Sequence, residues 1–570
     1  MSEPRRRNRL ALLGILGIGL LGTVVALFAV VAVLTPSAPT LEEPSVLEIT
    51  LDGGYAEGAV EDPFAELGLS DNGSSLYDLV RGLEAAATDD NIVAVRLDVR
   101  SPMLGLAQQQ ELAQAVAKVR DVGKPVVAHL VADMVTNGRY YAASQADEVW
   151  TTPEAFWMIQ GLQADVEFYR GTLDKLQIEP DVIMFKEYKS AGETFLNTER
   201  SEPMREALTA VLGDAQRMWV EGVAARRELS VDAVQGLVDA GAMAPGAAKD
   251  AGLVDAFGYA DEVTDALTER LGFDEYTKIE LDTYLETLAG PSSEGRIALI
   301  FGEGPIVASG GDDGNPFASG SMISGPSLAK DIRDATESDR VKAIVLRVNS
   351  PGGSAVGSDL VWREIQRARD QGIPVVVSMS SVAGSGGYWI SMGADAIVAQ
   401  PATITGSIGV VFTKLNVRGF YEWLGANVDS VSFAENSNLM SPYHSLDEAQ
   451  YDKLESIIGV MYESFVNKVA DGRGMSFEEV EPLAHGRIWS GEDALEHALV
   501  DRLGGLDEAF ALAAEKASLD LEGTDVEVFP EAKSLFERLA EGELSVTTAP
   551  PTEAQVRSWI EQLAEPRASV

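Results

Sequence analysis

"KAIVLRVNSPGGSAVGSDLVWREIQRARDQGIPVVVSMSS" (residues 342–381) decides the fold. Its two ends, "KAIVLRVN" and "IPVVVSMSS", are near-continuous apolar runs, the pattern of strands buried on both faces of a sheet. Between them "SDLVWREIQRARDQG" sets Leu360, Val361, Ile365 and Ala368 at helical spacing and stops at a glycine. Strand, helix and strand in this order make a β-α-β unit, so the class is α/β with a largely parallel sheet.

The plan is written twice. "IVAVRLDVRSP" (92–102) matches "AIVLRVNSP" (343–351), "GKPVVAHL" matches "GIPVVVSM", "YYAASQADEVW" (140–150) matches "YWISMGADAIV" (388–398), and "AGLVDAFG" matches "HALVDRLGG". Upstream, "SVLEITLDGGYAEG" pairs with "RIALIFGEGPIVASG". The offset is 249 at Ser101 and Ser350 and 248 at Tyr140 and Tyr388, steady enough to mean duplication. Residues 45–290 form a first repeat and 291–520 a second, joined through "ETLAGPSSEG"; 521–570 reads as a tail without clear pattern except a helical end.

Ahead of the repeats, Arg5, Arg6, Arg7 and Arg9 precede 25 uncharged residues, 10–34. That run is long enough to span ~30 Å of hydrocarbon and too long for the ~7–15-residue core of a cleavable signal. Residues 1–34 therefore read as a cytoplasmic stub and uncleaved transmembrane anchor, 35–44 as a Pro-rich linker, and the rest as extracytoplasmic by the positive-inside rule. A long signal cleaved near "PSAPT" is the competing reading. With 89 acidic against 44 basic residues the net charge is −45, which repels nucleic acid. No cysteine is present, so thiolate nucleophiles and Cys metal sites are excluded, and the four histidines (His129, His444, His485, His497) show no zinc-hydrolase spacing.

The copies differ where chemistry would sit. "VAGSGGYWIS" (382–391) flanks Ser385 with glycines; at the matching place the first repeat has Asn137. Gly352 and Gly353 of "NSPGGS" correspond to Met103 and Leu104. Conversely Lys189 of "FKEYKSAGETF" corresponds to Ser437. One repeat offers a serine and two glycines, the other a lysine, which points to one composite site, assembled either within one chain or between chains. A serine hydroxyl needs a base, and a buried lysine, its ammonium disfavoured, can serve as one. Gly353 and Gly386 are chosen as the oxyanion donors, since their backbones can be approached without a Cβ in the way. Ser407 of "TITGSIGVV" could hold the neutral lysine. Lys186 is the rival base, and Ser354 and Ser407 could be plain caps or turn residues. The aromatic pair after the glycines reads as packing.

Jointly, "NSPGGS", "AGSGGYWIS", "TGSIGV" and "YKSAGETF" resemble the signal peptide peptidase A family in its long, duplicated, membrane-anchored form, from the anchor to about Gly505. "AGSGG" departs mildly from the commoner "AASGG" type. The resemblance implies tandem Clp-protease/crotonase-like domains behind one N-terminal transmembrane helix, without cofactor or metal. It implies a Ser/Lys endopeptidase of the inner membrane that degrades signal peptides and similar hydrophobic peptides on the periplasmic side. It assigns Ser385 as nucleophile, Lys189 as general base and Ser407 as the lysine's partner, in a homotetramer.

Other readings compete. An α/β-hydrolase would use "AGSGG" as a degenerate elbow with His485 or His497, and an inactive membrane scaffold would use no chemistry. A crotonase-type acyl-CoA enzyme would share the oxyanion logic but not need the serine. "SLAK" (327–330) with "SDN" (70–72) is out of order for a penicillin-binding enzyme, and Ser327 reads as a helix N-cap.

Overall fold

The computed structural model of the protein describes residues 41, 43–58, 74–288, 296–309, 322–521 and 524–530. The apolar run at 10–34, the "SDN" triplet and the end of the tail lie outside them. No helix among the described residues is long and apolar enough to cross a membrane.

The first repeat builds β1 (Ser45–Gly54), α1 (Leu76–Thr88), β2 (Ile92–Met103), α2 (Leu106–Asp121), β3 (Val126–Leu130), α3 (Asn137–Ser144), β4 (Glu148–Thr151), β5 (Ala256–Phe257) and β6 (Thr277–Glu280). Its sheet runs β6-β1-β2-β3-β4-β5, parallel throughout. The second repeat builds β7 (Arg296–Glu303), α4 (Gly325–Glu337), β8 (Val341–Ser350), α5 (Ala355–Asp370), β9 (Val375–Gly384), α6 (Gly386–Trp389), β10 (Ala396–Ala399), β11 (Ile404–Gly406), β12 (Ile488–Ser490), β13 (Arg502–Leu503) and β14 (Asp525–Phe529). Its sheet runs β12-β11-β9-β8-β7-β14, with β10 beside the first half of β9 and β13 beyond β10. Only the β11–β12 pairing in it is antiparallel.

The duplication reaches into detail. Tyr140 and Tyr388 are both fully buried, and their hydroxyls donate to the carbonyls of Leu253 and Leu499, both at 2.9 Å. Asp255 and Asp501 each accept from a strand amide and pair with an arginine, Arg227 and Arg473. The aromatics after the glycines are thus core, as the sequence suggests. The tail is not patternless: β14 lies parallel on β7, as β6 lies on β1, at an offset of 248 from Thr277 to Asp525. On α5, Val361, Ile365 and Ala368 are buried while Leu360 stays exposed.

The repeats meet through a buried polar cluster. Arg347 on β8 has no exposed surface; its guanidinium donates to Glu57 at 2.8 Å, Glu111 on α2 at 2.5 Å and Ser378 on β9 at 2.9 Å. Buried charge is stable only when paired and hydrogen-bonded, and here every partner of the guanidinium is satisfied. A second link is a two-stranded antiparallel pair: Glu179–Met184 of the first repeat lies against Val411–Asn416 of the second.

Candidate active site

β9 forks. Residues 376–379 pair with β10, residues 382–384 pair with β11, and the strand ends at Gly384. Ser385 follows at φ +54°, ψ −116°, and α6 starts at once. A non-glycine residue at positive φ costs free energy and persists only where the surroundings impose it. Here the Ser385 amide donates to the Gly406 carbonyl at 2.9 Å, and its carbonyl accepts from Trp389 at 2.9 Å. The sharp strand-to-helix turn leaves Ser385 partly exposed, although Gly384 and Gly386 on either side are buried.

The glycine pair bends over this turn. Gly352 sits at φ +103° and Gly353 at φ +148°. A Cβ on Gly353 would stand 2.2 Å from the Ile306 carbonyl oxygen, and one on Gly352 would stand 2.6 Å from the Gly386 nitrogen. Both positions therefore require glycine on grounds of conformation and of space. Among the described residues the amides of Gly353 and Gly386 donate no hydrogen bond, and a Cβ on Gly386 would stand 3.0 Å from the Gly353 nitrogen.

Lys189 arrives from the first repeat. After Met184 pairs with Val411, Phe185 N donates to Val410 O at 3.1 Å and Tyr188 N to His485 O at 3.0 Å. The Lys189 side chain is 5% exposed. Its Nζ stands 3.0 Å from Ser385 Oγ, 2.9 Å from Ser407 Oγ and 2.9 Å from the Ser407 carbonyl. Burial disfavours the ammonium and lowers its pKa from 10.5 to about 8. Ser407, at φ +51°, is positioned by its amide, which donates to Arg487 O at 2.7 Å. Ser385, Lys189 and Ser407 thus converge within one chain, with Gly353 and Gly386 beside the serine.

The rival residues go elsewhere. Lys186 pairs with Glu481 at 2.9 Å. The His485 ring lies between Glu187 and Glu481, and His497 packs edge-on against Trp489; neither is hydrogen-bonded to Ser385. No histidine triad is assembled. Ser354 caps α5, accepting from Gly357 N. Ser327 is not the N-cap of α4: Ser324 is, and Ser327 N donates to Ser324 Oγ at 3.3 Å. The helix begins three residues earlier than the sequence suggests because Pro326 fits its first turn, where the missing N–H leaves no bond unmade. Asn137, where the first repeat lacks the serine, exchanges hydrogen bonds with Gln160 at 2.7 and 3.0 Å.

Sequence reasoning missed the loop of His485, Gly486 and Arg487. A Cβ on Gly486 would lie 2.6 Å from the Lys189 backbone, so this glycine makes room for the lysine. Its signal was present, a glycine between two polar residues just before a strand, but without a partner segment it reads as an ordinary turn.

Two stretches of the chain, residues 118–274 and 367–520, match the family model "Peptidase family S49". The chain belongs to this family. Over 459 residues it is 36% identical to "Protease 4" of Salmonella typhi, covering 78% of this chain and 72% of that protein. Over 485 residues it is 32% identical to "Serine protease SPPA, chloroplastic" of Arabidopsis thaliana, covering 84% and 70%. Among solved structures, a mutant ClpP1 of Listeria monocytogenes aligns at 14% identity over 37% of this chain and 92% of its own, with a TM-score of 0.23. The S49 protein is a serine protease whose domain is duplicated, one copy in each repeat.

Proposed function

We propose that this S49 protease is a membrane-anchored endopeptidase in which Ser385 and Lys189 form the catalytic dyad and which degrades cleaved signal peptides and similar hydrophobic peptides. The observation that carries the reading is the 3.0 Å approach of Lys189 Nζ to Ser385 Oγ in a site where burial favours the neutral amine. Neutral Lys189 takes the Ser385 proton as Oγ attacks the scissile carbonyl. The amides of Gly353 and Gly386 receive the oxyanion. The lysine ammonium then protonates the leaving amine, giving an acyl-enzyme, and water activated by the same amine releases the acid. Ser407 supplies acceptors that keep Nζ aimed at the serine. The anchor at residues 10–34 would hold the repeats beside membrane-derived peptides, with the N-terminus cytoplasmic and the repeats periplasmic.

The reading extends to a homo-oligomer, a tetramer by family resemblance. The intrachain pairing of Glu179–Met184 with Val411–Asn416 maps, by the 248 offset, onto residues 427–432 and 163–168. Those two segments carry no strand of their own, and Val431 and Phe433 are 80% and 96% exposed. Residues 427–432 of one copy meeting 163–168 of the next would repeat the internal interlock head to tail. Light scattering of the detergent-solubilised chain tests it; a strictly monomeric mass would refute it.

The catalytic test is hydrolysis of a hydrophobic signal-like peptide by wild type, Ser385→Ala, Lys189→Ala and His497→Ala. Activity should vanish in the first two and persist in the third. In wild type kcat should fall as pH drops below about 8, because Lys189 gains the proton that disables it. Full activity in Lys189→Ala would sink the dyad.

A further inference from the structure

Three consecutive residues of the second repeat face three of the first: His485, Gly486 and Arg487 lie against Glu187, Tyr188 and Lys189. His485 Nδ1 is 3.0 Å from Glu187 Oε1 and Nε2 is 2.7 Å from Glu481 Oε1. Each ring nitrogen thus faces a carboxylate oxygen from a different repeat. The other charged group facing Glu481 is Lys186, at 2.9 Å; from the helix Glu448–Arg473, the Tyr462 hydroxyl accepts from the His485 amide at 3.4 Å. Ion pairing with Lys186 and His485 holds the Glu481 carboxyl below its usual range.

The backbone of the same loop serves both ends of the lysine. His485 O accepts from Tyr188 N at 3.0 Å, Gly486 N donates to Ile408 O at 2.8 Å, and Arg487 O accepts from Ser407 N at 2.7 Å. Arg487 also covers the Tyr188 ring, 5.1 Å from its centroid, and donates to Glu206 at 2.8 Å. The segment bearing Lys189 comes from the other repeat, and its last strand pairing lies five residues upstream, at Met184. Between that pairing and Lys189, the Glu187–His485–Glu481 bridge is a side-chain tie across the repeats on the lysine's approach. His485 itself stands at φ +54°, a conformation its surroundings must impose.

We propose that His485, bridged between Glu187 and Glu481, is a positioning residue that holds Lys189 in line with Ser385 and Ser407. It touches no reacting atom; it acts by denying the lysine segment other places to lie. The inference rests on the Ser385–Lys189 reading above.

The test compares wild type, His485→Gln, His485→Arg, Glu187→Gln and Lys189→Ala for kcat, KM and the pH dependence of kcat. His485→Gln should lower kcat roughly 10- to 100-fold, the scale of a small misplacement of a catalytic group. KM should stay within about twofold, since substrate binding is untouched. The ascending limb should move to higher pH, because a loosened lysine rehydrates. Glu187→Gln should move both readouts in the same direction more weakly. His485→Arg, able to donate to both carboxylates, should recover part of the rate. If His485→Gln fails to fold, Glu187→Gln on its exposed turn carries the same test. Wild-type kcat and pH limb in both variants, with Lys189→Ala dead, would overturn the positioning role and leave the dyad standing. Activity in Lys189→Ala would remove both.

Discussion

The two repeats reach the same point on the same frame and do different things there. In the second, β9 runs unbroken to Gly384 and delivers Ser385. In the first, β3 stops at Leu130, and a separate short strand, Met134–Thr136, begins after a gap. That gap lines a cavity of about 600 Å3 walled by Arg100, Ser101, Asp133 and Arg139. β2 continues past a register shift at Arg100 to Met103, still paired with Gly54, whereas β8 ends at Ser350 and turns back through two glycines over α6. The α/β frame is thus neutral to function. What sets the second copy apart is two glycines in conformations other residues avoid, one hydroxyl, and one segment lent by its twin.

The sharpest break of this comparison is to write the first copy's residues into the second. Gly352→Met with Gly353→Leu should cost at least two orders of magnitude in peptide hydrolysis, the scale seen when an oxyanion donor is lost. The Cβ of residue 353 would collide with Ile306 O, so the turn has to open. Circular dichroism should remain near wild type, because the frame of the first repeat tolerates these side chains. The reverse graft, Asn137→Ser in a Ser385→Ala background, should stay inactive, since among the described residues Asn137 bonds to Gln160 and Trp219 and to no lysine. Retention of more than a tenth of the activity in the glycine variant would contradict the assignment of the donors.

A second difference lies on matching strands. By the 249 offset, Arg347 on β8 corresponds to Asp98 on β2. Asp98 is 20% exposed at its side chain and pairs with Arg96, which also approaches Glu48. Arg347 is sealed between Glu57 and Glu111, themselves 1% and 2% exposed. Arg347→Met strands two buried carboxylates and should destabilise the chain by roughly 3–5 kcal/mol in urea unfolding. Asp98→Asn should cost about 1 kcal/mol, as an ion pair with partial solvent access does. Equal losses would mean that the inter-repeat cluster is no more than another surface pair. Adding Glu57→Gln and Glu111→Gln to Arg347→Met should recover part of the loss, because the stranded charges are then gone.

How far the sequence carried the reading follows from where each signal lies. The strands and helices of both repeats, and the pairing of Ser385 with Lys189, were legible because duplication supplies an internal control: what one copy lacks, the other must explain. Besides the loop of His485, Gly486 and Arg487, three things were not legible. Arg347, alone in an apolar strand, gives no hint that its partners sit 236 and 290 residues away. The strand β14 is five residues in an otherwise unpatterned tail, and only its 248 offset from Thr277 betrays it. A serine ahead of "LAK" looks like a helix start and points to Ser327 as the cap of α4, whereas Pro326 at the first turn moves the start back to Ser324.

That cap gives the smallest effect and a direct comparison, since Ser324 is the counterpart of Ser75 at the start of α1. Ser75 is 2% exposed and sits in a reciprocal box: its Oγ accepts from Asp78 N at 3.1 Å, and Asp78 accepts from Ser75 N at 3.0 Å. Ser324 has half of this. Its Oγ accepts from Ser327 N at 3.3 Å, but the Ser327 hydroxyl, standing where the Asp78 carboxylate stands, bonds among the described residues only to the Ser324 hydroxyl. Ser75→Ala should therefore cost about 1–2 kcal/mol and Ser324→Ala about 0.5–1 kcal/mol by urea midpoint. Ser327→Asp completes the box and places a carboxylate at the positive end of the helix, so it should gain a few tenths of a kcal/mol. A larger loss at Ser324 than at Ser75 would mean that the two helix starts, identical in the frame, are held by something other than their caps.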